Sequence, residues 1–253
     1  GGFKPNVFLL ADHGYDSYST TIETRADMIA KNPDLVQRFV DATLDELTPL
    51  LTRGDTIVDG GGARQLFSSG SPVSFAHLTL RNGFDSNGGE AGAVYSDVAI
   101  SIVDSIVTGN SSPNSAGAIR SGYGSGSVTV TGSLFADNTS GASGGAIYSA
   151  GTVDISSSTF VDNSAGIGGG AVWVPSGGGQ ITITGATAFA RNRAGQNGGA
   201  IGSGVACAGP CASPANVAVS VTGGSFTDNT AGGYGGAIYA VGASTITRAR
   251  FER

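Results

Sequence analysis

A short string that returns six times constrains this chain more than any other feature. It reads Ala91-Gly92-Ala93-Val94-Tyr95, Ala116-Gly117-Ala118-Ile119-Arg120, Gly144-Gly145-Ala146-Ile147-Tyr148, Gly169-Gly170-Ala171-Val172-Trp173, Gly198-Gly199-Ala200-Ile201-Gly202 and Gly235-Gly236-Ala237-Ile238-Tyr239. The central alanines stand 25, 28, 25, 29 and 37 residues apart. A second string ends in Asn110, Asn138, Asn163, Asn192 and Asn229, and each Asn lies eight residues before the next repeat's alanine. Repeats of this length mark a solenoid, in which each unit buries its apolar face only by stacking on its neighbours.

Alternating segments lie between the strings: Val98-Ala99-Ile100-Ser101-Ile102, Val128-Thr129-Val130-Thr131, Val153-Asp154-Ile155-Ser156, Ile181-Thr182-Ile183-Thr184, Val219-Ser220-Val221-Thr222 and Thr245-Ile246-Thr247. Alternation of β-branched and small polar residues is the pattern of a strand with one buried face. No helix-length pattern separates the strands, so the expected fold is all-β: a parallel β-helix with three short strands per coil. Six to seven coils at the ~4.8 Å strand spacing give a rod about 30 Å long. Val107, Phe135, Phe160, Phe189, Phe226 and Phe251 are expected to stack inward as one ladder. The asparagines are expected at a corner, where Asn tolerates the left-handed conformation and its amide bonds the coils above and below. Glycines fill turns that need positive φ or close backbone approach.

Composition divides the chain in two. Residues 1–60 hold ten acidic and five basic residues, whereas 61–253 hold nine and eight, no lysine, and 38 of the 43 glycines. The sequence therefore reads as two kinds of chain joined near residue 50: a strand-plus-helix segment over 1–50 and a β-helix of 25–37-residue coils over 51–253. No basic cluster forms a nucleic-acid footprint, and no apolar run approaches the ~20 residues of a membrane span. Without an initiator Met or signal peptide, and ending in mid-repeat at Phe251-Glu252-Arg253, the sequence reads as a fragment truncated at its C-terminus. Exposed coil ends make self-association an expectation.

The pairing of F-x-x-N with G-G-A-I-Y, as in Phe135 to Asn138 followed by Gly144 to Tyr148, resembles the repeats of polymorphic outer-membrane proteins and autotransporter adhesin passengers. It also resembles the wider pectate-lyase-like superfamily, which implies a right-handed coil. The opening Asp55-Thr56-Ile57-Val58-Asp59-Gly60-Gly61-Gly62 is similar to a first coil of such proteins. Near the N-terminus, Asn6-Val7-Phe8-Leu9-Leu10-Ala11-Asp12, Tyr18-Ser19-Thr20-Thr21 and Asn32 to Val40 resemble periplasmic substrate-binding proteins of ABC transporters for thiamine pyrimidine precursors. Only a fragment of that two-lobed fold is represented, so no ligand-binding residue carries over. Asn32-Pro33 reads as a helix start, and Leu35, Val36, Phe39, Val40, Leu44 and Leu47 recur on one helical face. This helix is expected to cap the open end of the β-helix.

Catalytic motifs are nearly absent: there is no G-x-S-x-G, no phosphate-binding loop, and His13 and His77 stand alone. Asp137 and Asp162 hold equivalent places on adjacent coils, so their carboxylates could stand about 5 Å apart. That separation suits a retaining glycosidase pair or a Ca²⁺ ion, and equally two turn residues beside the Asn ladder. If the Val94/Ile119/Ile147/Val172/Ile201/Ile238 column faces in, then Tyr95, Arg120, Tyr148, Trp173 and Tyr239 form an outward row able to stack on sugars or anchor a protein. A one-residue change of register reverses that. Cys207 and Cys211 flank Ala208-Gly209-Pro210 in the longest repeat and suit a disulfide closing a loop, with reduced thiols as the alternative and zinc short of ligands. Thr129/Thr131, Thr182/Thr184, Ser220/Thr222 and Thr245/Thr247 make Thr-x-Thr rows like those of ice-binding solenoids, interrupted at Asp154/Ser156.

Three functions follow from these features. The first is a non-catalytic, secreted or cell-surface module that binds glycan or a host or cell-surface protein, with no cofactor. The second is a polysaccharide lyase or glycoside hydrolase using Asp137 and Asp162. The third is an ice-binding solenoid. Fold alone does not choose among them.

Overall fold

The computed structural model describes residues 56–253 apart from 87, 88, 90, 123–125, 176, 178 and 205–216. The helix expected over 33–47 and both cysteines lie outside the described residues. Within them the chain is all β, and its paired strands run parallel in four stacks. Sheet I has eight strands from Thr56–Asp59 to Arg250–Glu252. Sheet II has seven, from Phe67–Ser69 to Ile238–Tyr239. Sheet III has seven, from Val73–Ala76 to Ser244–Thr247, and sheet IV has five two-residue strands from Ser111–Ser112 to Thr230–Ala231. Each coil runs I, IV, II, III and back to I, the parallel β-solenoid expected from the repeats. Sheet IV adds a fourth strand to the expected three. A two-residue strand such as Thr139–Ser140 cannot display alternation, so its signal is absent from the sequence.

The inward columns form the core. In sheet I, Val107, Phe135, Phe160, Phe189, Phe226 and Phe251 stand in register on successive coils. The five phenyl rings stack with centroids 4.8–5.0 Å apart and planes within 13° of parallel. That separation is the strand repeat itself, so backbone pairing sets the ring spacing. Ile100/Ile102, Val128/Val130, Val153/Ile155, Ile181/Ile183 and Val219/Val221 supply the wall of sheet III, and Val94, Ile119, Ile147, Val172 and Ile201 that of sheet II.

Two polar ladders close the corners. Each of Asn110, Asn138, Asn163 and Asn192 donates from its side-chain amide to the Oδ1 of the next coil's Asn at 2.9–3.0 Å and to a carbonyl one coil below. Each receiving Oδ1 also takes the backbone N–H of the lower Asn. These asparagines are 0% exposed, and their amide groups are satisfied within the ladder, as burial demands. The left-handed residue at this corner is the one before each Asn: Gly109, Asp137, Asp162, Arg191 and Asp228, with φ of 53–64°. This corrects the expectation that Asn itself adopts that conformation. The chain reverses at the exposed residue so that the amide can point inward.

At the corner between sheets III and I, hydroxyls do the same work. Ser133 Oγ accepts the N–H of Ser105, Ser158 Oγ that of Ser133, and Thr187 Oγ1 that of Ser158. Each hydroxyl donates back to a carbonyl two or three residues earlier.

The two glycines of the repeat string have separate duties. The first, at Gly144, Gly169, Gly198 and Gly235, has φ of 59–71°. The second sits against the coil above: a Cβ on Gly117, Gly170 or Gly199 would lie 2.1, 2.0 or 1.9 Å from the carbonyl oxygen of the corresponding glycine.

Candidate functional site: the outer face of sheet II

Register decides which side chains sheet II presents. Ile147 pairs with Ile119 and Val172, and these inward residues are fully buried. Tyr95, Arg120, Tyr148, Trp173, Gly202 and Tyr239 therefore occupy one column of the opposite pleat. Tyr95, Arg120, Tyr148 and Tyr239 are partly exposed. The Arg120 guanidinium stands 5.3 Å from the centre of the Tyr148 ring, within cation–π range. Tyr95 donates its phenolic hydrogen to Asp97 at 2.6 Å.

Trp173 shares this register but is only 1% exposed. Its position explains why. Gly202 leaves an empty place in the column and Gly168 another beside it, and the indole lies across both. A Cβ on Gly168 would fall 2.3 Å from the ring, and one on Gly202 would fall 2.5 Å from it. Trp173 thus fills a recess outside the main core and forms the floor of the face, while the tyrosines stand on its surface.

Tyr234, which sequence reasoning passed over, adds to this face. It is 50% exposed, and its ring centre lies 6.4 Å from that of Tyr239 at a 32° tilt. The signal was a lone aromatic in the run Gly232-Gly233-Tyr234-Gly235-Gly236, just ahead of a repeat string.

The carboxylate corner has a different character. Asp137 and Asp162 follow Ala136 and Val161, which are paired across neighbouring strands of sheet I, and both have φ of 55° on the exposed turn. Arg191 on the next coil takes both oxygens of Asp162 in a two-pronged ion pair at 2.8 Å each. That hydrogen bonding holds the Asp162 carboxyl below the usual carboxylate range. Arg191 is in turn held more firmly protonated, chiefly by Asp162, with Asp228 and Asp137 adding to the field. Along the corner the order is Asp137, Asp162, Arg191, Asp228, so acids flank Arg191 on both sides and Asp162 is already committed to it. Among the described residues, no three His, Cys, Asp or Glu side chains gather as metal ligands.

Sheet III presents the hydroxyl rows. Thr129, Thr131, Thr184 and Thr222 are exposed, with Asp154 set among them. Neighbouring hydroxyls approach at 3.2 Å (Thr131–Ser156) and 3.4 Å (Thr222–Thr247). Cys207 and Cys211 fall outside the described residues.

Comparison with known families gives two matches. Residues 132–150 and 223–241 match the Chlamydia polymorphic membrane protein repeat. Residues 1–48 match the NMT1/THI5-like family. These fall on the two segments whose resemblances the sequence carries. No curated protein and no solved structure matches the chain.

Proposed function

We propose that this chain is a surface-exposed, non-catalytic adhesion module whose solenoid presents the outer face of sheet II to a glycan or a cell-surface protein. The observation that carries the reading is the column of Tyr95, Arg120, Tyr148 and Tyr239, joined by Tyr234 and floored by Trp173. Aromatic rings with polar tips are the side chains that stack on sugar rings and anchor protein interfaces. Rigid parallel stacking holds them at fixed spacing, so little ordering entropy is lost on binding. The polymorphic membrane protein repeats support placing the chain at the outer membrane or another exposed surface, secreted or attached. The commitment of Asp162 to Arg191 weighs against a carboxylate pair working as acid and nucleophile, because a nucleophile must be free to reach the sugar.

The test combines binding with product release. The wild-type chain, Tyr148→Ala and Tyr239→Ala are applied to a glycan array and a polysaccharide pull-down, and released reducing or unsaturated ends are assayed with and without Ca²⁺. Binding that falls at least tenfold in the variants, without product, supports the reading. Product release that is lost in Asp137→Asn would replace it with a carbohydrate-active enzyme.

A further inference from the structure

Sheet II carries its outward residues in single file. Tyr95, Arg120 and Tyr148 stand on three successive coils, each paired with the next across the parallel ladder. Trp173 and Gly202 follow on the fourth and fifth coils of the file, and Tyr239 on the sixth. Backbone pairing fixes the interval, and the phenyl ladder of the same solenoid repeats at 4.8–5.0 Å. The face is thus a ruler, marked by planar side chains at its first, second, third and sixth divisions. At the fourth the indole is sunk to 1% exposure, and at the fifth glycine has no side chain to offer.

Few polymers keep step with such an interval. An extended peptide turns a side chain to one face every ~6.7 Å, so it is out of step by the second coil. A folded protein anchors through residues clustered near the centre of its interface, whereas these run in a line. Nucleic acid is disfavoured by a chain of net charge −6. In an unbranched glycan with equatorial linkages, the extended chain advances by close to one coil for each pyranose. Its rings present C–H faces rimmed by hydroxyls, the counterpart of aromatic bodies with polar tips.

The charges beside the column narrow the class further. Asp97 accepts the Tyr95 hydroxyl, and Arg120 donates to Gly89 O while its guanidinium lies over the Tyr148 ring. An acidic sugar would have to draw Arg120 from both contacts and come close to Asp97, and the acidic chain would repel it. A neutral sugar meets no such cost.

We infer that the ligand of this face is a neutral, unbranched, equatorially linked glycan lying parallel to the solenoid axis, one sugar to each coil. The inference rests on the reading of sheet II as the binding face, and it chooses glycan over protein. Three sugars cover Tyr95, Arg120 and Tyr148. The fourth and fifth pass over the sunken floor and gain little, and the sixth meets Tyr239. Affinity should therefore rise with chain length in steps.

Isothermal titration calorimetry on the 253-residue chain tests this with β-1,4-linked oligosaccharides of three to six sugars, in glucose, mannose, xylose and N-acetylglucosamine series. Maltohexaose, whose axial linkages coil the chain, and an acidic oligogalacturonate serve as controls, and circular dichroism confirms that each variant folds. At least one β-1,4 series should bind, with nearly level affinity from three to five sugars and a gain of about tenfold at six. Tyr239→Ala should return the six-sugar chain to the affinity of the five-sugar chain, and Tyr148→Ala should weaken every length at least about tenfold. Both controls should bind at least about tenfold more weakly than the matching β-1,4 chain. A smooth rise with length, a step that survives Tyr239→Ala, or controls that bind equally well would overturn the inference. If no series binds while Tyr148→Ala still lowers capture of a cell-surface protein, the inference falls and the adhesive reading stands; if Tyr148→Ala changes no binding at all, both fall.

Discussion

Gly145 lies against the carbonyl of Gly170 so closely that a methyl group on its Cα would sit 1.9 Å from that oxygen. This contact recurs up the solenoid and sets how near one coil comes to the next. Gly145→Ala should therefore separate two coils through the length of sheet II and cost about 3 kcal/mol or more, the scale of severe core defects. Gly236→Ala occupies the same place in the repeat string but faces open space, and should stay within about 0.5 kcal/mol of wild type. Urea denaturation of the two variants measures the contrast.

The asparagine ladder predicts an effect that depends on chemistry more than on volume. Asn163→Ala removes the donor to Phe135 O and the acceptor for both Asn138 N–H groups. Leaving such groups buried and unpaired costs about 1–3 kcal/mol each, so the variant should lose most of the chain's stability. Asn163→Asp is expected to be worse at neutral pH, because a carboxylate would face the acceptor oxygens of Phe135 and Asn192. It should regain stability as the pH falls and the buried acid protonates. Thermal melts at pH 7 and pH 5 distinguish the two.

Trp173 is the only tryptophan in the chain, and its burial gives a direct optical readout. The native protein should emit at short wavelength and resist acrylamide quenching, with a red shift on unfolding. In Gly202→Ala the new Cβ displaces the indole from its recess, so emission should shift red while the far-ultraviolet spectrum stays unchanged. An unshifted spectrum would mean that the recess has room to spare.

The ion pair at the corner gives a pH dependence whose sign is fixed. The Asp162 carboxyl is held below its usual range in the folded chain, so the unfolded chain binds the proton more readily. Its stabilisation is complete above about pH 4 and fades as the pH falls further, through the folded-state value. Asp162→Asn and Arg191→Gln should each flatten the acid limb of the melting-temperature profile. At neutral pH the loss should be small, because the pair is exposed and solvent-screened.

How much of this was legible follows from how many times each feature repeats. The Phe and Asn columns could be read from the string because each recurs at least five times with one fixed offset. The Ser105–Ser133–Ser158–Thr187 ladder keeps a fixed offset too, five residues before each corner Asn, but serine is common in turns, so the offset alone did not reveal that these hydroxyls bond from coil to coil. Placing Asp137 and Asp162 on a turn beside the Asn ladder needed only the repeat, whereas the two-pronged grip of Arg191 needed geometry. The outward register of the Tyr95 row was one of two alternatives until strand pairing decided it. The burial of Trp173 depends on glycines at 168 and 202, which no strand pattern reveals.

The coils differ in length almost wholly between sheets II and III. From the inward residue of sheet II to the first inward residue of sheet III, Ile147 to Val153 is six residues, Ile119 to Val128 nine and Ile201 to Val219 eighteen. The stretch from corner Asn to repeat alanine keeps its eight residues throughout. Natural variation therefore has one seam in which to insert or delete residues without disturbing a ladder, and that seam borders the aromatic column. A lineage could change what this face recognises by lengthening loops along a single margin, much as letters are exchanged in a fixed line of type, while the scaffold behind stays the same.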